Sequence, residues 1–76
     1  MTEILVFGQL QDITGTHTLK LEGVTDTATL RERLFLLHPA LRDARFAIAV
    51  DKHIVTGDAP IGPEAGVALL PPFSGG

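Results

Sequence analysis

The chain has 76 residues, 45% of them hydrophobic, and a net charge of −3. That length allows one domain with one core, which buries about 60% of its unfolded surface and leaves little interior for a deep substrate pocket. The absence of cysteine excludes disulfides, thiolate metal sites and thiol catalysis. The basic residues Lys20, Arg31, Arg33, Arg42, Arg45 and Lys52 are scattered, whereas a phosphate backbone requires a concentrated basic surface. Nucleic acid is therefore not an expected partner. Nor is a membrane, because no apolar run approaches the roughly 20 residues that cross a bilayer. The start, Met1-Thr2-Glu3-Ile4, is acidic and lacks the layout of a signal peptide, so a cytoplasmic protein is expected.

Ile4-Leu5-Val6-Phe7-Gly8 is a short apolar run that suits a strand. Residues 16–22 alternate and predict a second strand. Between them, residues 9–15 form a polar stretch closed by Thr14-Gly15, expected as the long loop of an antiparallel hairpin. Val24-Thr25-Asp26-Thr27 offers several helix N-caps, of which Thr27 is preferred here; Thr29 with Glu32 also fits a capping box. Leu30, Leu34, Leu37 and Leu41 recur at helical spacing. Pro39 should end the helix near Leu37 or His38. A helix of roughly ten residues is too short to stand alone and must pack on the sheet.

Phe46, Ile48 and Val50 alternate with alanines as a third strand, and Ile54-Val55 suits a very short fourth. Residues 56–66 carry Gly57, Pro60, Gly62, Pro63 and Gly66 and predict a loop. Val67-Ala68-Leu69-Leu70 is the last strand, stopped by Pro71-Pro72. The order is ββαβββ, an α+β domain with one helix laid across a mixed sheet. Alternation assigns Val67 and Leu69 inward and Leu70 outward. With Phe7 and Ile54, Leu70 is expected to form an outward apolar patch for docking; covering the domain's edge is the alternative. The spacing of His17, His38 and His53 matches no ligand motif, so no metal site is expected. Asp12, Asp26, Asp43, Asp51 and Asp58 are expected in turns or caps. Arg31, Glu32 and Arg33 suit a solvated helix face, and Arg42 is a weaker candidate for an acidic partner surface.

The final stretch, Pro71-Pro72-Phe73-Ser74-Gly75-Gly76, carries the chemistry. Consecutive prolines favour an extended conformation, and the two glycines can enter a channel too narrow for other residues. Extended, the stretch reaches about 20 Å. A terminal carboxylate, with a pKa near 3.5, is ionised and a poor electrophile, so reaction at Gly76 requires prior activation. No Walker loop or Gly-x-Gly-x-x-Gly is present to bind ATP. The activating machinery is therefore expected on a partner. The division expected is a folded domain over residues 1–70 and a flexible diglycine tail over residues 71–76.

The ending Pro-Pro-Phe-Ser-Gly-Gly resembles the MoaD family, the small subunits of molybdopterin synthase. Val6-Phe7-Gly8-Gln9-Leu10-Gln11-Asp12, Thr14-Gly15 and Ala49-Val50-Asp51 resemble that family's first strand, loop and third strand. The resemblance implies a ubiquitin-like β-grasp fold of four to five strands and one main helix, with the first and last strands adjacent at its middle. It implies adenylation of Gly76 by an E1-like, MoeB-like enzyme that uses ATP, the chain itself binding no cofactor. Conversion to a thiocarboxylate follows, and sulfur passes to a pyranopterin precursor within a large, MoaE-like subunit, as a heterotetramer. Gly76 would carry the reacting group and Gly75 would give clearance. Phe7, Ile54, Leu70, Pro71, Pro72, Phe73 and Ser74 would bind partners. Asp51, Gln11 and Glu64-Ala65-Gly66 depart from the family's usual Asn, Arg and Gly-Asp-Glu. ThiS-type carriers, which serve thiamine, and ubiquitin-like protein modifiers conjugated through the last glycine share the fold and the diglycine.

Overall fold

The computed structural model describes residues 2–71. The elements are β1 (Thr2–Val6), α1 (Leu10–Thr14), β2 (Thr18–Leu21), α2 (Thr27–Leu37), a 3-10 turn (Pro39–Arg42), β3 (Ala47–Val50), β4 (His53–Val55) and β5 (Val67–Leu70). They form one sheet of five strands in the order β2-β1-β5-β3-β4. The first and last strands run parallel at its centre, with Ile4 beside Val67 and Val6 beside Leu69. The other three pairings are antiparallel. One face of the sheet, carrying Ile4, Val6, Ile48, Val67 and Leu69, packs against Leu30 and Leu34 of α2 and against Leu10 and Leu41. Full burial of a leucine contributes about 1.5–3 kcal/mol. This shared core is what holds so short a helix in place.

The polar stretch after β1 is not a loop throughout, because it contains α1. Leu10 and Thr14 are buried there and Ile13 packs partly against the core, a spacing that one helical turn satisfies. Gly15, at φ 73°, ends the turn with its N–H donating to the Gln11 carbonyl at 2.8 Å, a left-handed cap that glycine adopts without strain. Strand β2 accordingly starts at Thr18, later than alternation alone predicts.

The N-cap of α2 is Asp26, not Thr27. Its extended backbone lets the carboxylate accept the Thr29 N–H at 2.7 Å. That bond, and after it one with the Thr29 side chain, hold the Asp26 carboxyl below its ordinary pKa of 3.8. Thr27 is instead the first helical residue and is fully buried. Its hydroxyl accepts the Ala59 N–H at 2.9 Å. Its single proton serves either the Gly57 carbonyl at 3.1 Å or the Asp58 carboxylate at 3.2 Å. Asp58 also accepts the Ala28 N–H at 3.1 Å. The loop after β4 is thus tied across the helix N-terminus, where free N–H groups and the helix dipole favour carboxylates.

Leu37 does not reach the core. It is 53% exposed, and Leu36 is 75% exposed. The helix stops at His38, which precedes Pro39 and is pushed to an extended conformation. The 3-10 turn then brings Leu41 back into the interior. Phe35 and Phe46 meet edge to face at 6.4 Å, and the Arg42 guanidinium lies 5.5 Å above the Phe35 ring.

Replacing Thr27 by Val should cost about 1–3 kcal/mol in chemical denaturation, because the Ala59 N–H loses its buried acceptor. A neutral effect would remove this contact from the determinants of stability. Asp26 sets an acid limb. A carboxyl whose folded pKa is depressed contributes fully above its unfolded value, and the contribution disappears as pH falls through the folded value. The stability gap between wild type and Asp26→Ala should therefore be constant above the ordinary value of 3.8 and close below it. A gap that widens on acidification would contradict this account.

Candidate functional site

Strand parity builds a second surface on the side of the sheet away from α2. The pairing puts Leu5, Ala68, Ala49 and Ile54 side by side across four strands. Ala47 and Leu70 are paired two residues along. The middle of this face is therefore floored by alanines, while larger apolar side chains stand at its sides. A groove of about 500 Å³ results, lined by Leu5, Phe7, Ala49, Asp51, Lys52, Ile54, Gly66, Ala68 and Leu70. Phe7 is 43% and Ile54 52% exposed, and Leu70 is half-buried. The structure thus brings together the three residues expected on the outward patch.

Leu5, Ala49 and Ala68 were not among the residues expected on the outward patch. Leu5 could have been found, since Ile4 and Val6 inward force Leu5 and Phe7 outward. The alanines give no such signal, because a small residue marks a floor only once its neighbours across the sheet are known. One end of the groove is shaped by a two-residue hairpin turn. Asp51 and Lys52 both have positive φ, 50° and 71°, as the tight turn between antiparallel strands requires. Asp51 accepts the Gly66 N–H at 3.0 Å through its carboxylate, and its own N–H donates to the Gly66 carbonyl at 2.7 Å. Asp51 therefore fixes the rim by turn geometry.

Pro71, expected as the first residue of the tail, is half-buried and follows directly on β5. Pro72, Phe73, Ser74, Gly75 and Gly76 lie outside the described residues. Among the described residues, no group of three or more His, Asp or Glu side chains gathers where it could hold a metal ion. Among those residues, too, no helix is long and apolar enough to cross a membrane.

The parity of β5 can be tested by charge. Leu69→Asp would bury a carboxylate in the core, where Leu69 has no exposed surface, and should prevent folding. Leu70→Asp places the same charge at the groove and should leave a cooperative thermal transition close to that of wild type. Equal damage from both substitutions would refute the assignment of the two faces.

In fold, the chain is similar to the crystal structure of SAMP1 from Haloferax volcanii, with a TM-score of 0.75 and 22% identity over 99% of this chain and 98% of that one. The likeness identifies the mixed sheet and crossing helix as a ubiquitin-like β-grasp. The sequence matches the ThiS family over residues 4–76, nearly its whole length and including the diglycine. The chain belongs to the ThiS family of ubiquitin-like sulfur carriers.

Proposed function

We propose that this protein is the sulfur-carrying small subunit of a molybdopterin synthase, acting through the carboxylate of Gly76. The observation that carries the reading is the placement of the apolar groove beside the root of the Pro-Pro-Phe-Ser-Gly-Gly segment. Leu70 lines that groove and Pro71 follows it. A partner seated on the outer sheet face, at Phe7, Ile54 and Leu70, has the segment from Pro71 to Gly76 within reach, since five further residues extend at most about 18 Å.

On an E1-like, MoeB-like enzyme, a carboxylate oxygen of Gly76 attacks the α-phosphorus of ATP and pyrophosphate leaves. The resulting mixed anhydride is an electrophile where the carboxylate was not. A sulfide-level sulfur donor then adds to the carbonyl carbon. The C–S bond forms, AMP departs with the C–O–P oxygen, and a thiocarboxylate remains. Its sulfur is a better nucleophile than a carboxylate oxygen, which suits transfer to a pyranopterin precursor held by a large, MoaE-like subunit. Gly75 gives the clearance that a narrow channel demands. Pro72, Phe73 and Ser74 belong to the segment that a partner's channel would grip. ATP belongs to the activating enzyme, and this chain contributes the acyl group, the groove and the reach.

The alternatives share the activation step and differ in the acceptor. A ThiS-like carrier would deliver sulfur toward thiamine or another product. A protein modifier would be attacked at the activated Gly76 carbonyl by a lysine amine, giving an isopeptide bond. Intact-mass spectrometry of the protein from its native host separates them. An oxygen-to-sulfur exchange on a chain ending at Gly76 is expected for a carrier, and branched lysine adducts would favour the modifier. Reconstitution of molybdopterin formation with the large subunit distinguishes the first carrier role from the second.

Two variants test the division of labour. Deleting Gly76 should leave thermal stability nearly unchanged and abolish sulfur transfer; a large loss of stability would make the segment structural. Leu70→Asp should weaken binding to the adenylating enzyme by about tenfold or more, as expected of an apolar interface anchor. Unchanged affinity would take Leu70 out of the interface.

A further inference from the structure

The turn at the end of β1 meets the root of the C-terminal segment at one residue. Gly8 has φ +61°, and a Cβ built on it would lie 2.8 Å from Pro71 Cγ, 3.5 Å from its Cδ and 3.6 Å from its Cβ. Gly15 and Gly57 have similar backbone, at φ +73° and +75°, yet a Cβ on either would meet nothing within 4 Å. Left-handed backbone alone accounts for glycine at those two positions. At Gly8 a second demand is added, because the proline ring occupies the space that any other side chain would fill.

The ring has only its pucker to give: Cγ can shift by a change of pucker, but Cδ and Cβ, at 3.5 and 3.6 Å, are tied to the backbone and cannot swing aside as a flexible side chain does. Cδ is bonded to the residue's own backbone nitrogen, so moving the ring as a whole displaces the main chain at residue 71. Upstream, the position of this residue is fixed by sheet pairing, with Leu70 opposite Ala47 and the Phe7 N–H donating to the Leu69 carbonyl at 3.1 Å. The next residue in the sequence is a second proline, Pro72. Gly8 is held in turn by α1, since its carbonyl accepts the Gln11 N–H at 3.1 Å.

We infer that Gly8 is a positioning residue for the Gly76 chemistry: by seating the Pro71 ring against bare backbone, it sets the direction in which the C-terminal segment leaves the domain. This rests on the proposed activation of Gly76. The groove and the direction of departure are then separate determinants. The groove governs how tightly the activating enzyme binds, and the Gly8–Pro71 contact governs how often the carboxylate arrives in line with ATP.

The test is ATP–pyrophosphate exchange by the E1-like adenylating enzyme of the source organism, with four variants of the full chain compared with wild type. Gly8→Ala should lower kcat about tenfold or more with KM for the carrier within about twofold, the pattern of lost orientation rather than lost docking. Gly15→Ala carries the same backbone strain without the collision, and should lower thermal stability while leaving exchange at the wild-type rate. Pro71→Ala, at a residue outside the core cluster, should lower kcat by itself. In the double variant, adding Gly8→Ala to Pro71→Ala should change kcat no further, because the ring it would strike is gone. Equal exchange by Gly8→Ala and Gly15→Ala would overturn the inference, as would wild-type kcat for Pro71→Ala, the reading that remains should Gly8→Ala fail to fold. A folded wild-type chain that supports no exchange would instead overturn the functional reading itself, and the role of Gly8 with it.

Discussion

The parallel pairing of β1 with β5 is the constraint on which the other features depend. Ile4 and Val6 stand beside Val67 and Leu69, and all four are buried. Alternation then leaves no choice for the residues between them. Leu5 and Phe7 on one strand, and Ala68 and Leu70 on the other, must face away from α2. A slip of one residue in either strand would exchange the core set with the groove set. The same register carries the end of β5 to the turn that follows β1, which is why Pro71 arrives against Gly8.

The outer face costs the domain little. Its floor is alanine, which contributes almost nothing to either the core or the surface. Its walls are apolar side chains left partly in water, the kind of cluster from which the docking role is proposed. Stability is collected elsewhere, in the leucines, isoleucines and valines of the core and in the hydrogen bonds that fasten the loop after β4 to the helix N-terminus. Thr27 and Asp58 lie at the N-terminus of α2, and neither lines the groove. Substitutions in one set are accordingly expected to leave the other nearly untouched.

The strands and the main helix were legible because each rests on local pattern: alternation in Thr18–Leu21 and Val67–Leu70, leucines at 30 and 34, and Pro39 as a stop. What the sequence concealed depended on partners distant along the chain. The turn of helix over Leu10–Thr14 was hidden because its polar residues resemble a loop, and only burial of Leu10 and Thr14 reveals the helical spacing. The choice between Asp26 and Thr27 as N-cap was decided by the loop around Asp58, which claims the Thr27 hydroxyl. Leu37 matched the apolar spacing yet lies in solvent, because Pro39 turns the chain and Leu41 takes the core position. At the site, Phe7, Ile54 and Leu70 were readable from parity and from likeness to a family. The alanine floor and the special demand on Gly8 were not, since both are properties of what lies opposite.

A domain of this size has no room to enclose a nucleotide, a sulfur donor and an acceptor, and the proposed chemistry fits that limit. The proposed reacting group, the Gly76 carboxylate, belongs to none of the core elements, so the proposed reactivity asks for no strained or buried polar group among them. Among the described residues, no buried side-chain nitrogen or oxygen lacks a hydrogen-bond partner. On the proposed reading, the demands of function fall instead on geometry outside the core: a shallow apolar groove and one glycine that lets Pro71 lie close. In such an arrangement specificity is set by surfaces whose alteration scarcely changes folding. The groove and the root of the segment can then diverge among carriers of one fold while the paired strands beneath them stay fixed.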